Sequence, residues 1–190
     1  MFGAQKSFAG GLSLQDEQLA AEMAGKIAWQ AERTGSHPLG LQTLSIEKQE
    51  QKNSSGTRLV RVYQYDYSQE SARVLVLDLL DQILVREQLI DNIHLPLNSV
   101  EIDYAISILA SHDVTVDQLR IEQRRRGRAE FVQLSELEIK ASIFEPMDPE
   151  HSCSRQRCAL LSLFDDTRTV FTVEPVVHLG DARLELLAQQ

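Results

Sequence analysis

The residues whose types could carry chemistry are concentrated in one short stretch that holds His151, Cys153 and Cys158. An imidazole and two thiolates are ligands that zinc prefers, and a fourth group from elsewhere would complete a tetrahedral site. Structural zinc sites usually show two closely spaced cysteine pairs, whereas this chain has one wider pair. The same residues also suit a local disulfide in an oxidising compartment, or a buried Cys158 beside an ordinary loop. We therefore expect no metal site and no cofactor.

The remaining histidines and the acids give no catalytic pattern. No two of the five histidines lie four residues apart, the spacing that puts two metal ligands on one helix face. His94 and His178 flank or lie within apolar segments, where we expect hydrogen-bonded structural groups rather than bases. The chain has no Gly-x-Ser-x-Gly turn and no glycine-rich phosphate loop. We expect no catalytic residue.

One basic run, formed by Arg124, Arg125, Arg126 and Arg128, stands in an acidic chain whose formal net charge is −9. It could be a patch for an anion or an acidic partner, or a solvated hairpin tip that turns at Gly127. Nucleic-acid binding needs clustered basic residues, so we favour the hairpin tip and expect no nucleic-acid partner. This arginine run is still the best sequence candidate for a contact surface.

A first helix is predicted to begin at Ser13, where Asp16 three residues on completes a capping box. Apolar residues then recur at four-residue spacing, which predicts one packed face; they are Leu19, Met23 and Ile27. Gly35 with Pro38 is expected to end the helix. We interpret Trp29 as a core residue under the following sheet.

The pattern then changes to that of strands. Residues 41–48, 59–67, 73–80 and 83–89 are predicted strands, joined by polar turns at 51–56, 68–71 and 81–82. Short turns cannot join parallel neighbours, so these strands should form an antiparallel meander.

A second helix and a second set of strands follow. Asn98 and Glu101 form another capping box, and the helical pattern fades at residues 111–113. Strands are predicted at 118–123, 131–144, 157–164, 169–177 and 182–187, with a loop at 146–155.

The two halves share their order of elements, and their hairpins can be overlaid. Residues 58–66 match 157–165, since both begin with Arg and end in an aromatic residue followed by Asp, and residues 74–78 match 170–174. We therefore predict an α+β chain with an internal repeat of two tandem units, residues 12–92 and 93–190. Each unit is a helix packed on an antiparallel sheet.

Residues 94–102, His-Leu-Pro-Leu-Asn-Ser-Val-Glu-Ile, resemble the Pro-Leu-(Thr/Ser/Asn)-x-x-Glu-Ile opening of the small amino-terminal domains of copper amine oxidases. Residues 76–79, Val-Leu-Asp-Leu, resemble the end of the preceding small domain, and the hairpin of residues 158–177 resembles the second one. The resemblance implies two tandem cystatin-like units. PepSY-type domains share a related helix-and-hairpin pattern and are the alternative.

The chain departs from that family where the family does its chemistry. It has neither the Asn-Tyr pair that matures into a quinone cofactor nor the His-x-His pair that binds copper. It also lacks the Gln-x-Val-x-Gly hairpin of cystatin-type protease inhibitors, since Gln82 begins a run without the closing glycine. The resemblance therefore implies a non-enzymatic binding or scaffold protein. The alternatives are an enzyme with a site assembled between the units or across a dimer, and a metal-responsive protein.

Composition bounds the location and the partners. Hydrophobic residues make up 43% and charged residues 25%, which is typical of a globular chain rather than a disordered or membrane-embedded one. The amino terminus lacks a basic region followed by an apolar core, so we expect a cytoplasmic protein without a membrane segment. Its protein or small-molecule partner is not indicated, and a homodimer stays open.

Overall fold

The computed structural model describes residues 12–29, 36–49, 58–90 and 94–187. The chain consists of two compact units, Met1–Asp91 and Asn92–Gln190. The first unit contains helix α1 (Leu14–Lys26) and strands β1 (Leu41–Lys48), β2 (Leu59–Asp66), β3 (Ser71–Asp78) and β4 (Ile83–Ile90). The second contains helices α2 (Ser99–Ala110) and α3 (Asp113–Arg125) and strands β5 (Glu138–Ile143), β6 (Cys158–Phe164), β7 (Pro175–His178) and β8 (Arg183–Leu186). The predicted α+β class, with a helix before each antiparallel sheet, is confirmed.

The first unit is a four-stranded meander in the order β1-β2-β3-β4, with every neighbouring pair antiparallel. Ser13 caps α1 as predicted, because its hydroxyl accepts from the backbone N–H of Asp16 at 3.2 Å. The small side chains of Ala20 and Ala24 let the helix pack closely on the sheet. Their core partners are Val60, Val62, Leu75, Leu77 and Leu79.

The second unit repeats this plan in the order β5-β6-β7-β8, again antiparallel throughout. Asn98 caps α2, and its side chain accepts from the backbone N–H of Glu101 at 2.9 Å. The Glu101 carboxylate accepts from the backbone N–H of Asn98 at 2.8 Å, which completes the box. Ala105 and Leu109 are buried on the face of α2 that lies against β7 and β8.

Helix α3 corrects the prediction of a strand at residues 118–123. Thr115, Val116, Leu119 and Gln123 are its buried residues, at the three- and four-residue spacing of a helix. Ile121 is the one β-branched residue of segment 118–123, and burial on one helical face outweighs its strand propensity.

The arginine run is consequently the carboxyl end of α3 and not a hairpin tip. Gly127, at φ +71°, donates to the carbonyl of Arg124 at 2.9 Å, and the Arg128 N–H donates to the carbonyl of Gln123 at 3.2 Å. These two bonds form a Schellman motif, which favours glycine at its left-handed position.

Two other predicted strands are shorter in the structure, and helix α1 ends earlier than predicted. The predicted strand 131–144 contains a short 3₁₀ helix, Leu134–Glu136, before β5. In the predicted strand 169–177, Val170 makes one bridge to Phe164, and the strand itself is β7. Helix α1 already ends at Lys26; Gly35 and the turn at residues 51–56 lie outside the described residues.

The repeat is present, but the second strand of the repeated hairpin aligns with other residues than the overlay predicted. Leu59 pairs with Asp78 across β2 and β3, and Cys158 pairs with His178 across β6 and β7. The counterpart of Asp78 is therefore His178, and residues 170–174 belong to the longer connection before β7. The turns that follow agree, since Gln82 and Ala182 both have positive φ, 52° and 54°.

Candidate functional site

The cysteine–histidine cluster of the second unit consists of Cys153, Cys158 and His178, all of them buried. Cys158 opens β6 and His178 closes β7, and their backbones are direct partners across the sheet. The 3₁₀ helix Ser152–Ser154 brings Cys153 to the same point, where it forms a disulfide with Cys158. Two strand ends and one short helix thus position the cluster.

His178 is held on every side. Its Nδ1 accepts from the side-chain amide of Gln156 at 2.8 Å, so its Nε2 carries the proton and donates to Glu185 at 3.0 Å. One guanidinium nitrogen of Arg183 lies 3.0 Å from Nδ1 and 2.9 Å from Nε2, which places it over the ring face. The ring is therefore oriented by Gln156 and Glu185.

Glu185 joins two imidazoles. Its Oε1 accepts from Nε2 of His151 at 2.8 Å, while Nδ1 of His151 accepts from the backbone N–H of Cys153 at 3.1 Å. Burial raises the pKa of the Glu185 carboxyl, but the hydrogen bonds from His178 and His151 outweigh it and hold that pKa below its ordinary value. The carboxylate is thus a stable acceptor at neutral pH.

Of the three predicted metal candidates, the structure joins Cys153 and Cys158 in the local disulfide considered from the sequence. His151 contacts Glu185, and the imidazole beside the sulfur atoms is that of His178, with Nδ1 3.7 Å from Cys153 Sγ and 3.5 Å from Cys158 Sγ. His178 lies 20 residues beyond Cys158, so the order of residues did not connect them. The register of β6 and β7 does.

The arginine run is engaged within its own unit. Arg124 pairs with Glu130 at 2.6 Å, Arg126 donates to the carbonyl of Val170 at 2.8 Å, and Arg128 pairs with Asp165. Burial raises the pKa of Asp165, but hydrogen bonds from Thr169 and Thr167 and the charge of Arg128 lower it overall. These arginines tie α3 and its following turn to the rest of the unit.

Each unit has an equivalent ion pair between its first helix and its sheet. Asp16 of the first capping box pairs with Arg58, and Glu101 of the second pairs with Arg157, whose Nε lies 2.8 Å from Oε1. Both arginines immediately precede the second strand of their sheet. The overlay matched the two arginines and both capping boxes were predicted, but the pairing between them was not.

A buried arginine supports the first unit. Arg73 donates to Gln64 and Glu87, each at 2.9 Å, and to the carbonyls of Ile27 and Ala28 at 2.9 and 3.1 Å. Its guanidinium carbon lies 4.4 Å from the centre of the Trp29 ring, so this tryptophan packs on a cation. These contacts of Arg73 hold the chain segment that follows α1 against strand β3.

The apolar edge of the first unit is strand β4, which ends the sheet order. Ile83, Leu84, Val85 and Leu89 are 41–68% exposed, and Leu80 in the preceding turn is 65% exposed. An edge strand leaves backbone donors and acceptors unpaired on its outer side. This edge therefore offers backbone and apolar contacts together.

No protein-family model matches the chain, and no curated protein matches it significantly. Among the described residues, no helix combines the length and the apolar character needed to cross a membrane.

Proposed function

We propose that this chain is a non-enzymatic protein-binding module related to the cystatin-like amino-terminal domains of copper amine oxidases. The observation that carries the proposal is the apolar edge on β4. Exposed apolar residues along a sheet edge favour the binding of a further strand. The order of helix and sheet, with Asn98 and Glu101 capping the helix whose sequence resembles that family, supports the relationship.

Buried charged residues pair with one another within each unit, which supports a binding function over a catalytic one. Glu101 with Arg157, and Arg73 with Glu87, form ion pairs between elements of their own units. Charges used in this way stabilise the relative position of helix and strand, and they need no substrate to explain them.

The partner that fits β4 is an extended segment of another protein. Two copies related by a two-fold axis would pair antiparallel about a residue and its own image. Of the two registers that use nearly all of β4, the one centred on Arg86 sets two like charges directly opposite, and the one centred on Glu87 sets opposite each other two carboxylates that already pair with Arg73 in their own copies. A different protein can place an acid opposite Arg86, between apolar residues.

Selection of a displayed library of random peptides against the full chain tests this proposal. We expect extended peptides with an acid between apolar residues, and we expect the Leu84→Lys, Leu89→Lys variant to lose their binding in fluorescence anisotropy. Leu14→Lys is the control, because Leu14 is an exposed leucine on α1, outside the sheet edge. Peptides that bind both variants alike, or a stable dimer by light scattering that dissociates in the β4 variant, would contradict the assignment.

The cytoplasmic location and the lack of a nucleic-acid partner belong to the same proposal. The net charge of −9 opposes phosphate binding, and three of the four arginines in the arginine run have acidic partners in their own unit. In the cytoplasm Cys153 and Cys158 would be thiols rather than a disulfide. Alkylation of thiols in intact cells, read by mass spectrometry, distinguishes the two states.

A further inference from the structure

We propose that the reduced form of the cysteine–histidine cluster binds a thiolate-preferring divalent cation such as Zn²⁺. Reduction of the disulfide by a thiol or phosphine takes up two electrons and two protons and yields two thiols. The cation then binds both sulfur atoms as thiolates, and the two thiol protons are released. The disulfide and the metal complex are thus alternative states of the same two sulfur atoms.

The distances in the disulfide form already approach those of such a complex. With Zn–S near 2.3 Å and Zn–N near 2.0–2.1 Å, a tetrahedral site separates sulfur from nitrogen by about 3.6 Å. Nδ1 of His178 lies 3.5 Å from Cys158 Sγ, whereas Cys153 Sγ lies over the ring face, 3.7 Å from Nδ1 and 3.8 Å from Nε2. Reduction lets the sulfur atoms separate, and the short helix that carries Cys153 is the element that has to shift.

The surroundings of His178 favour metal binding at Nδ1. Because Nε2 donates to Glu185, Nδ1 is the ring nitrogen with an acceptor electron pair. A carboxylate behind a metal-bound histidine is the usual arrangement in zinc sites, where it fixes the ring and raises its basicity. Gln156 donates to Nδ1 in the disulfide form and must turn away for the cation to bind.

The charges of the occupied site balance. Two thiolates and Glu185 carry three negative charges, against two on the cation and one on Arg183. Arg183 lies over the ring face and repels a cation, but its side chain is half-exposed and can withdraw. In the disulfide form Arg183 pairs with Glu185 at 3.2 Å and with Asp181 at 3.6 Å.

Titration of the full chain with Co²⁺, and competition by Zn²⁺, tests the site. The protein is reduced with a phosphine and desalted without oxygen, and the thiolate-to-cobalt charge-transfer absorption is measured. We expect one equivalent of Co²⁺ in the reduced protein and none in the oxidised protein. Cys153→Ser should abolish the signal, whereas His94→Gln, at an exposed histidine outside the cluster, should leave it unchanged.

Two further variants keep the test independent of folding. Glu185→Gln should weaken the affinity about 10–100-fold, as loss of the carboxylate behind a ligand does. Arg183→Gln should strengthen it about tenfold, because one repelling charge is removed from a partly exposed site. Reduced protein that stays folded by circular dichroism and binds no Co²⁺, or reduced protein that unfolds and is not restored by Zn²⁺, overturns the proposal. Binding that survives Cys153→Ser shows adventitious surface binding and also overturns it.

Discussion

Replacing Arg157 by methionine should destabilise the second unit far more than Arg58→Met destabilises the first. The two arginines make the same link, from the acid of a helix capping box to the start of the second strand. They differ in exposure, since the Arg157 side chain is 2% exposed and that of Arg58 is 59% exposed. Burial is therefore the main difference between the two substitutions, together with the backbone carbonyls that Arg157 also contacts.

The magnitudes follow from that difference. Without Arg157, the carboxylate of Glu101 stays buried without its cation, a situation that costs about 3–5 kcal/mol. Arg157 also donates to the carbonyls of Leu95 and Pro96 at 3.1 and 3.4 Å, and these bonds are lost too. Around the exposed Arg58, water replaces the guanidinium beside Asp16, whose side chain is 7% exposed, and the loss is about 1 kcal/mol, the upper end for an exposed ion pair. The expected difference between the variants is about 3 kcal/mol.

Urea unfolding provides the assay. Trp29 is the only tryptophan in the chain, so its fluorescence reports on the first unit, while far-ultraviolet circular dichroism reports on both. Arg58→Met should shift the fluorescence transition slightly, and Arg157→Met should shift the dichroism transition strongly. The double variant Glu101→Gln, Arg157→Met should recover part of the loss, because it no longer buries an unpaired charge.

Losses that agree within 1 kcal/mol in the two units would refute the burial argument. A double variant as unstable as the sum of its single variants would refute the ion pair as its cause, because coupled partners are not additive.

Three further predictions concern the turn after α3, the pH and the disulfide. Gly127→Ala should lower stability by about 1 kcal/mol in urea unfolding, since φ is +71° there, whereas Gly25→Ala inside α1 should raise it by about 0.5–1 kcal/mol. The pKa of Glu185 is lowered, so its contribution to stability is present above the ordinary pKa of 4.5 and is lost as the pH falls below that value. In a plot of melting temperature against pH, the Glu185→Gln variant should therefore show a flatter decline on the acid side. Replacing Cys153 and Cys158 by alanine should lower the free energy of unfolding by about 2 kcal/mol, the value for so short a loop.

Each of these has a contrary result. Equal effects of alanine at both glycines would contradict the left-handed turn, and an unchanged acid limb in Glu185→Gln would contradict the role of its carboxylate. A cysteine-free variant as stable as the oxidised chain would show that the disulfide does not restrain the unfolded state.

The sequence by itself determined the features that rest on interactions between near neighbours. The capping boxes of Ser13 and Asn98 lie where predicted, because each involves residues only three positions apart. The change of period after each helix predicted the α+β class and the repeated unit for the same reason.

The tertiary structure decided what depends on residues far apart in the chain. In α3, β-branched residues favour a strand locally, and only packing of one face makes the segment a helix. His178 reaches the sulfur atoms of Cys153 and Cys158 because the register of β6 and β7 brings it there, and neither composition nor spacing records a register. The candidate site is therefore a product of strand pairing, while the helices that precede the sheets follow from local order.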